Sequence, residues 1–266
     1  MMLEISKLLT SHRSIRKFKA DDISAQTVEA VCSEAFAGAS SSGNLNTASI
    51  IATREPSRRQ DLYQMHEQQK MILESPLILT FCADLFRTRK WLARRAARDN
   101  FNNLEGFFSG ALDAMILAQN VCLGFEARGL GICYLGTTFA SMAPLARFFD
   151  LPETCLPITT VAIGVPDENP SKRDRLPLKA IFHEEVYRVP STPELDEIYA
   201  DREIKAWERY ISMPGNKVRF EEGGIMNVAQ WYTSKYKYPP EQYEAASLAF
   251  RHALVEQCFM ARKNKV

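Results

Sequence analysis

Neither sign of charge dominates this 266-residue chain: Lys and Arg number 33, Asp and Glu 32, and the net charge is +1. No global field draws it to nucleic acid or to an anionic membrane, so an anion site has to be a local cluster. The six cysteines (Cys32, Cys82, Cys122, Cys133, Cys155, Cys258) include no Cys-x-x-Cys pair and mostly sit in apolar runs such as LILTFCAD and LGICYLG. They read as buried thiols, which excludes a disulfide scaffold and suits a reducing cytosol. No apolar stretch approaches the roughly 18 residues that span a bilayer. The opening MMLEISKLLTSHRS also lacks the apolar core and cleavage site of a secretory leader. The expectation is a cytoplasmic protein with neither nucleic acid nor membrane as partner.

Standard catalytic signatures are missing too. Gly129-Leu130-Gly131 begins like a dinucleotide fingerprint, but Tyr134 stands where the third glycine belongs, and a helix rather than a strand precedes it. His183-Glu184-Glu185 lacks the second histidine of a zinc protease, and His12, His66, His183 and His252 show no metal-ligand spacing. Neither a Walker loop nor a serine nucleophile elbow occurs. No metal is expected, and no side chain is assigned as a nucleophile or general base.

The composition, 46% hydrophobic and 24% charged, is that of a globular protein able to bury a sizeable core. Ser24 can cap a helix whose apolar positions Val28, Val31, Cys32, Ala35 and Phe36 run out at Gly38. Strands are expected over 48–53, 77–82, 130–135 and 156–165, and helices over 55–72, 106–128 and 141–149, the second of these stopped by Gly129. The charged RTRKWLARRAARD reads as a solvated helix. The 106–128 helix is apolar on nearly every side, which suits an interior or a subunit interface. Helices and strands alternate, so the class is α/β or α+β. Residues 1–190 are read as the core. Residues 191–266 are read as a helical extension on the core or a partner subunit, with an irregular Pro/Gly segment over 213–224 and a last helix over 240–262.

Three polar clusters remain. His12-Arg13-Ser14-Ile15-Arg16 places two guanidiniums around a serine after a short helix, a pattern that can grip a phosphate or stand as a plain basic patch. Ser40-Ser41-Ser42-Gly43-Asn44 offers hydroxyls and small side chains that can approach a polar ring edge, or a plain flexible loop. Arg173-Asp174-Arg175 is again basic, beyond an apolar strand ending in Gly164.

HRSIRKF, the Ser-rich loop before a short strand, GALDAMILAQN followed by GLGICYLG, and IGVPDENPSKRDRLPLKAIFHEEVY occur in one order. Together they resemble the nitroreductase family over about residues 5–190, nearest its oxygen-insensitive NADPH nitroreductase and NADPH–flavin oxidoreductase branch. The resemblance implies an α+β fold with a central, mostly antiparallel sheet surrounded by helices, and an intertwined homodimer binding FMN at its interface. It implies His12, Arg13, Ser14, Ile15 and Arg16 as flavin or phosphate ligands. Ser40, Ser41, Ser42, Asn44 and Gln69 become ring or ribityl contacts, Tyr134, Leu135, Gly136 and Thr137 the turn against the ring, and Arg173 and Arg175 a second phosphate clamp. The branch usually has a second glycine where this chain has Thr137.

The implied chemistry is ping-pong: NADPH reduces FMN and leaves, then a small electron-poor planar acceptor (nitroaromatic, quinone or flavin) takes its place. Alternatives are a relative whose flavin dehalogenates or dehydrogenates, a non-catalytic FMN sensor or store, or a basic-patch protein without flavin. In the extension, Arg219 and Trp231 read either as a cation and an aromatic beside the flavin, or as a solvated charge and a packing residue.

Overall fold

Two of the apolar runs become the middle of a sheet. In the computed structural model, which describes residues 2–261, β1 is Ala48–Thr53, β2 Leu77–Asp84, β3 Gly131–Leu135 and β4 Cys155–Gly164. The order is β1-β2-β4-β3, and each neighbouring pair is antiparallel. Around it lie α1 (Met2–Ser11), α2 (Ala25–Ala37), α3 (Pro56–Met65), α4 (Met71–Glu74), α5 (Phe86–Arg94), α6 (Leu104–Glu126) and α7 (Met142–Phe148). Then follow α8 (Thr192–Ile211), α9 (Asn216–Gly223), α10 (Val228–Tyr232) and α11 (Pro240–Glu256). The fold is α+β, as the resemblance implies.

Every residue of β2 and β4 is buried, because both sheet faces are covered. Leu77, Leu79, Phe81 and Ala83 share one cluster with Ala114, Leu117, Val121 and Phe125 of α6. Ile78 belongs to another with Leu62, Met71, Ile72 and Leu145. Phe81 pairs with Thr159 but Cys82 with Pro157, so Ile158 is an extra residue in β4. This bulge shifts the alternation, and Leu156 and Ile158 therefore share a face with Val161 and Ile163. Helix α6 lies close on the sheet: a Cβ at Gly110 would stand 2.7 Å from Leu85 Cδ2 and 3.0 Å from Ala83 Cβ.

Most expected elements form. The Ser24 hydroxyl accepts from the Thr27 amide at 3.1 Å to start α2, and Gly38 ends it. The expected 55–72 helix is instead two, α3 and α4. Glu67 (φ 54°) and Gln68 (φ 55°) adopt left-handed backbone between them, and no glycine marks the break. The expected irregular 213–224 segment contains α9, because Gly215 (φ 78°) and Gly224 (φ 59°) bound a helix rather than disrupt one. Helix α11 stops at Glu256, and Arg262 lies outside the described residues. Contrary to the reading of apolar runs, α6, at 23 residues, is long and apolar enough to cross a bilayer; half of its apolar window is buried within the protein.

The chain forms two compact units, Met1–Ser171 with Ala246–Val266, and Lys172–Ala245. The first holds the sheet. The second has its own small core of Phe220, Ile225 and Trp231, ringed by Trp207, Tyr210, Ile211 and Tyr236. Trp231 is 3% exposed and so is a core residue of that unit. Arg219 donates to Asn216 Oδ1 at 3.3 Å.

Candidate active site

The His12–Arg16 segment runs along β3, one of the two edge strands. The Ile15 amide donates to the Ile132 carbonyl at 2.9 Å, and Ser14 bridges Ile132 in parallel sense. The approach is tight, since a Cβ at Gly131 would meet Ile15 Cγ1 at 2.7 Å, so only glycine fits there. Ile15 is thereby buried as an anchor, which turns its neighbours outward. His12 Nδ1 lies 2.6 Å from Glu126 Oε1 at the end of α6. Arg13 donates to Asn169 Oδ1 at 2.8 Å, and its Nε is buried without a hydrogen-bond partner. Arg16 is exposed; its amide and that of Lys17 both donate to Glu168 Oε1, at 2.5 and 3.2 Å.

The Ser-rich loop is built on Asp113 of α6. Ser41 Oγ donates to Asp113 Oδ2 at 2.6 Å, the Ser42 amide to Oδ1 at 3.0 Å, and Thr47 to Oδ2 through its amide (3.0 Å) and hydroxyl (2.7 Å). Burial by itself raises the Asp113 carboxyl, but the donors from Ser41, Thr47 and the two amides outweigh it and hold its pKa below the ordinary value. Gly43 (φ 57°) and Asn44 (φ 54°) supply the left-handed turn, while Ser40, Ser42 and Asn44 are exposed.

At the far end of β3, Tyr134 donates to Gln119 Oε1 at 3.3 Å and Leu135 is buried. Gly136 is exposed, and a Cβ there would have nothing within 4 Å. Thr137 Oγ1 accepts from Gln69 Nε2 at 3.1 Å and lies 2.8 Å from His66 Nδ1. Thus one strand carries both the basic segment and the open Gly136 ledge. Arg173 and Arg175 belong to the second unit. There Asp174 is taken by Arg202 (2.5 Å) and Arg209 (3.4 Å), so it does not neutralise Arg175, whose Nη1 donates to backbone carbonyls of Arg173 and Asp174.

Sequence reasoning missed Asp113, His66 and the Glu168–Asn169 pair. Asp113 had a signal, as the one carboxylate inside GALDAMILAQN. His66 and Glu168 had none, since their partners are 71 and about 150 residues away in sequence.

A model of the nitroreductase family matches residues 9–165. A Staphylococcus epidermidis NADPH-dependent oxidoreductase is 31% identical over 214 residues, covering 78% of this chain and 81% of that one. A Bacillus subtilis FMN reductase (NADPH) is 30% identical over 183 residues, covering 68% of this chain and 73% of that one. A crystal structure from Bacteroides fragilis superposes with TM-score 0.85 at 33% identity, covering 96% of this chain and 99% of that one.

Proposed function

This chain belongs to the nitroreductase family, and from that premise we propose an FMN-dependent enzyme that takes electrons from NADPH and passes them to quinones, nitroaromatics or free flavin. The observation that carries the reading is the β3 edge: a basic segment hydrogen-bonded along it and an open glycine ledge at its end. A molecule with an anionic tail and a planar head can use both. FMN fits these residues. The unpartnered Arg13 Nε and the exposed Arg16 are donors for a phosphate, and the space above Gly136 admits a ring.

When bound, FMN supplies the redox chemistry, accepting two electrons from NADPH and releasing them to an acceptor. The chain's part is positional. Asp113 fixes the Ser41–Ser42 loop so that the exposed Ser40, Ser42 and Asn44 are presented in one arrangement, and Gln69 and the Tyr134–Thr137 turn would border the ring. Donor and acceptor take turns over one open ledge, which gives ping-pong kinetics.

The reading includes a homodimer. Leu104, Phe108, Leu112, Met115 and Ile116 form one exposed stripe along α6, with Phe108 and Leu112 each 60% exposed. An apolar stripe of that length suits a second copy. The test is direct. The purified protein should be yellow, release one FMN per subunit on denaturation, and oxidise NADPH with a quinone, giving parallel double-reciprocal lines. A colourless protein that gains no flavin absorbance in excess FMN sinks the proposal. Flavinated protein without NADPH turnover reduces it to a binding protein.

A further inference from the structure

The turn after β3 is tied at three points to the end of α3 and the loop that follows it. Ser141 Oγ donates to the Met65 carbonyl at 2.5 Å, Gln69 Nε2 to Thr137 Oγ1 at 3.1 Å, and His66 Nδ1 meets the same oxygen at 2.8 Å. The His66 side chain is wholly buried, and its Nε2 has no hydrogen-bond partner. A buried ring nitrogen without a partner is unfavourable. Thr137 is therefore where this imidazole's polar bonding is directed.

The loop itself is strained into place. Glu67 and Gln68 both sit in left-handed backbone, which residues with a Cβ rarely adopt. It is held there by the Gln68 amide on the Tyr63 carbonyl (2.9 Å) and the Gln69 amide on the His66 carbonyl (3.3 Å). The strain has a use if the loop must deliver His66 and Gln69 to one hydroxyl.

Thr137 is also the residue that directly follows the open Gly136. Two partners on Oγ1 fix its χ1, and with it the γ-methyl. We propose that His66 is a positioning residue for the flavin: acting through Thr137, it locks one rotamer beside Gly136 and so sets the shape of the surface on which the ring lies. The proposal rests on the FMN reading given above. Burial lowers the His66 pKa to about 4, so the imidazole stays neutral and the lock keeps one charge state near neutral pH.

The test measures FMN release from diluted holoenzyme by flavin fluorescence. Thr137→Val keeps the shape and removes the hydroxyl; Thr137→Ser keeps the hydroxyl. Thr137 is half-buried, at the rim of the core, and both replacements are close to it in size. Thr137→Val should raise the Kd for FMN about fivefold, the worth of one ordinary hydrogen bond, and change the visible spectrum of the bound flavin. Thr137→Ser should stay within about twofold of wild type on the same scale. His66→Leu should reproduce the Val loss, and the double variant should lose no more than either alone. Equal affinity and spectrum in Thr137→Val and wild type overturn the proposal, as do losses that multiply in the double variant. Where His66→Leu does not fold, the Ser and Val pair decides. Wild-type protein that holds no FMN at all is a different result, because it overturns the cofactor reading itself.

Discussion

Asp113 takes four hydrogen bonds from the Ser-rich loop and Thr47 while only 4% exposed, on a helix otherwise given over to packing. An amide in its place has one fewer acceptor oxygen and turns an NH₂ toward donors. Asp113→Asn should therefore cost about 2–3 kcal/mol of stability, read from urea midpoints. The folded-state pKa lies below the ordinary 3.8. The carboxylate's contribution is thus present above that value and lost as pH falls through the lower folded one, and the gap between the two proteins should close only in strong acid. On the reading proposed for the β3 edge, Arg16→Ala should weaken FMN binding by about 1.5–3 kcal/mol, as for a charge-assisted bond. Arg94→Ala, in the exposed last turn of α5, should leave titrations unchanged. If both variants bind FMN alike, the segment is a surface patch. Residue types and order made Arg13, Arg16 and the serines legible in the sequence. Asp113 under the serines, Glu168 beside Arg16 and His66 behind Thr137 act across 66 or more positions and are fixed only by the fold.

At the scale of elements, legibility followed burial. Strands buried on both faces read as unbroken apolar runs, and β2 and β4 fall within two residues of their expected bounds. The α3–α4 break did not show, because left-handed Glu67 and Gln68 are held by backbone hydrogen bonds to Tyr63 and His66 and no glycine marks them. Helix α9 was hidden for the opposite reason, since Gly215 and Gly224 cap it. The apolar character of α6 was plain, yet one face is spent on the sheet and another left exposed at Leu104, Phe108, Leu112, Met115 and Ile116. That division gives a test. Leu112 is 60% exposed, so Leu112→Glu should leave the folded subunit intact by circular dichroism. If α6 seats a second copy, the variant should sediment as a monomer where wild type sediments as a dimer. Equal sedimentation of both as dimers would place the interface elsewhere.

At the scale of the whole molecule, the two units differ in how much apolar surface they bury. The first packs both faces of a four-stranded sheet, with clusters that include Phe81, Phe107, Phe125, Leu62 and Ile72. The second buries Phe220, Ile225 and Trp231, helped by stacking of Trp207 on Phe220 at 4.8 Å and an edge contact of Phe220 with Trp231 at 4.9 Å. Trp231 Nε1 is buried without a partner, which weakens that core further. Stability scales with buried apolar area, so the second unit should open first. The tryptophans separate the two events. Trp207 and Trp231 report on the second unit, whereas Trp91 of α5 is 54% exposed and contributes little change on unfolding. In a urea titration the tryptophan emission should shift to the red at lower denaturant than the loss of far-ultraviolet ellipticity, which follows all the helices and the sheet. Amides of α9 and α10 should exchange through that first opening, and those of β2 and β4 only through global unfolding. Coincident fluorescence and ellipticity transitions, with equal protection in both units, would mean that the chain unfolds as one cooperative body.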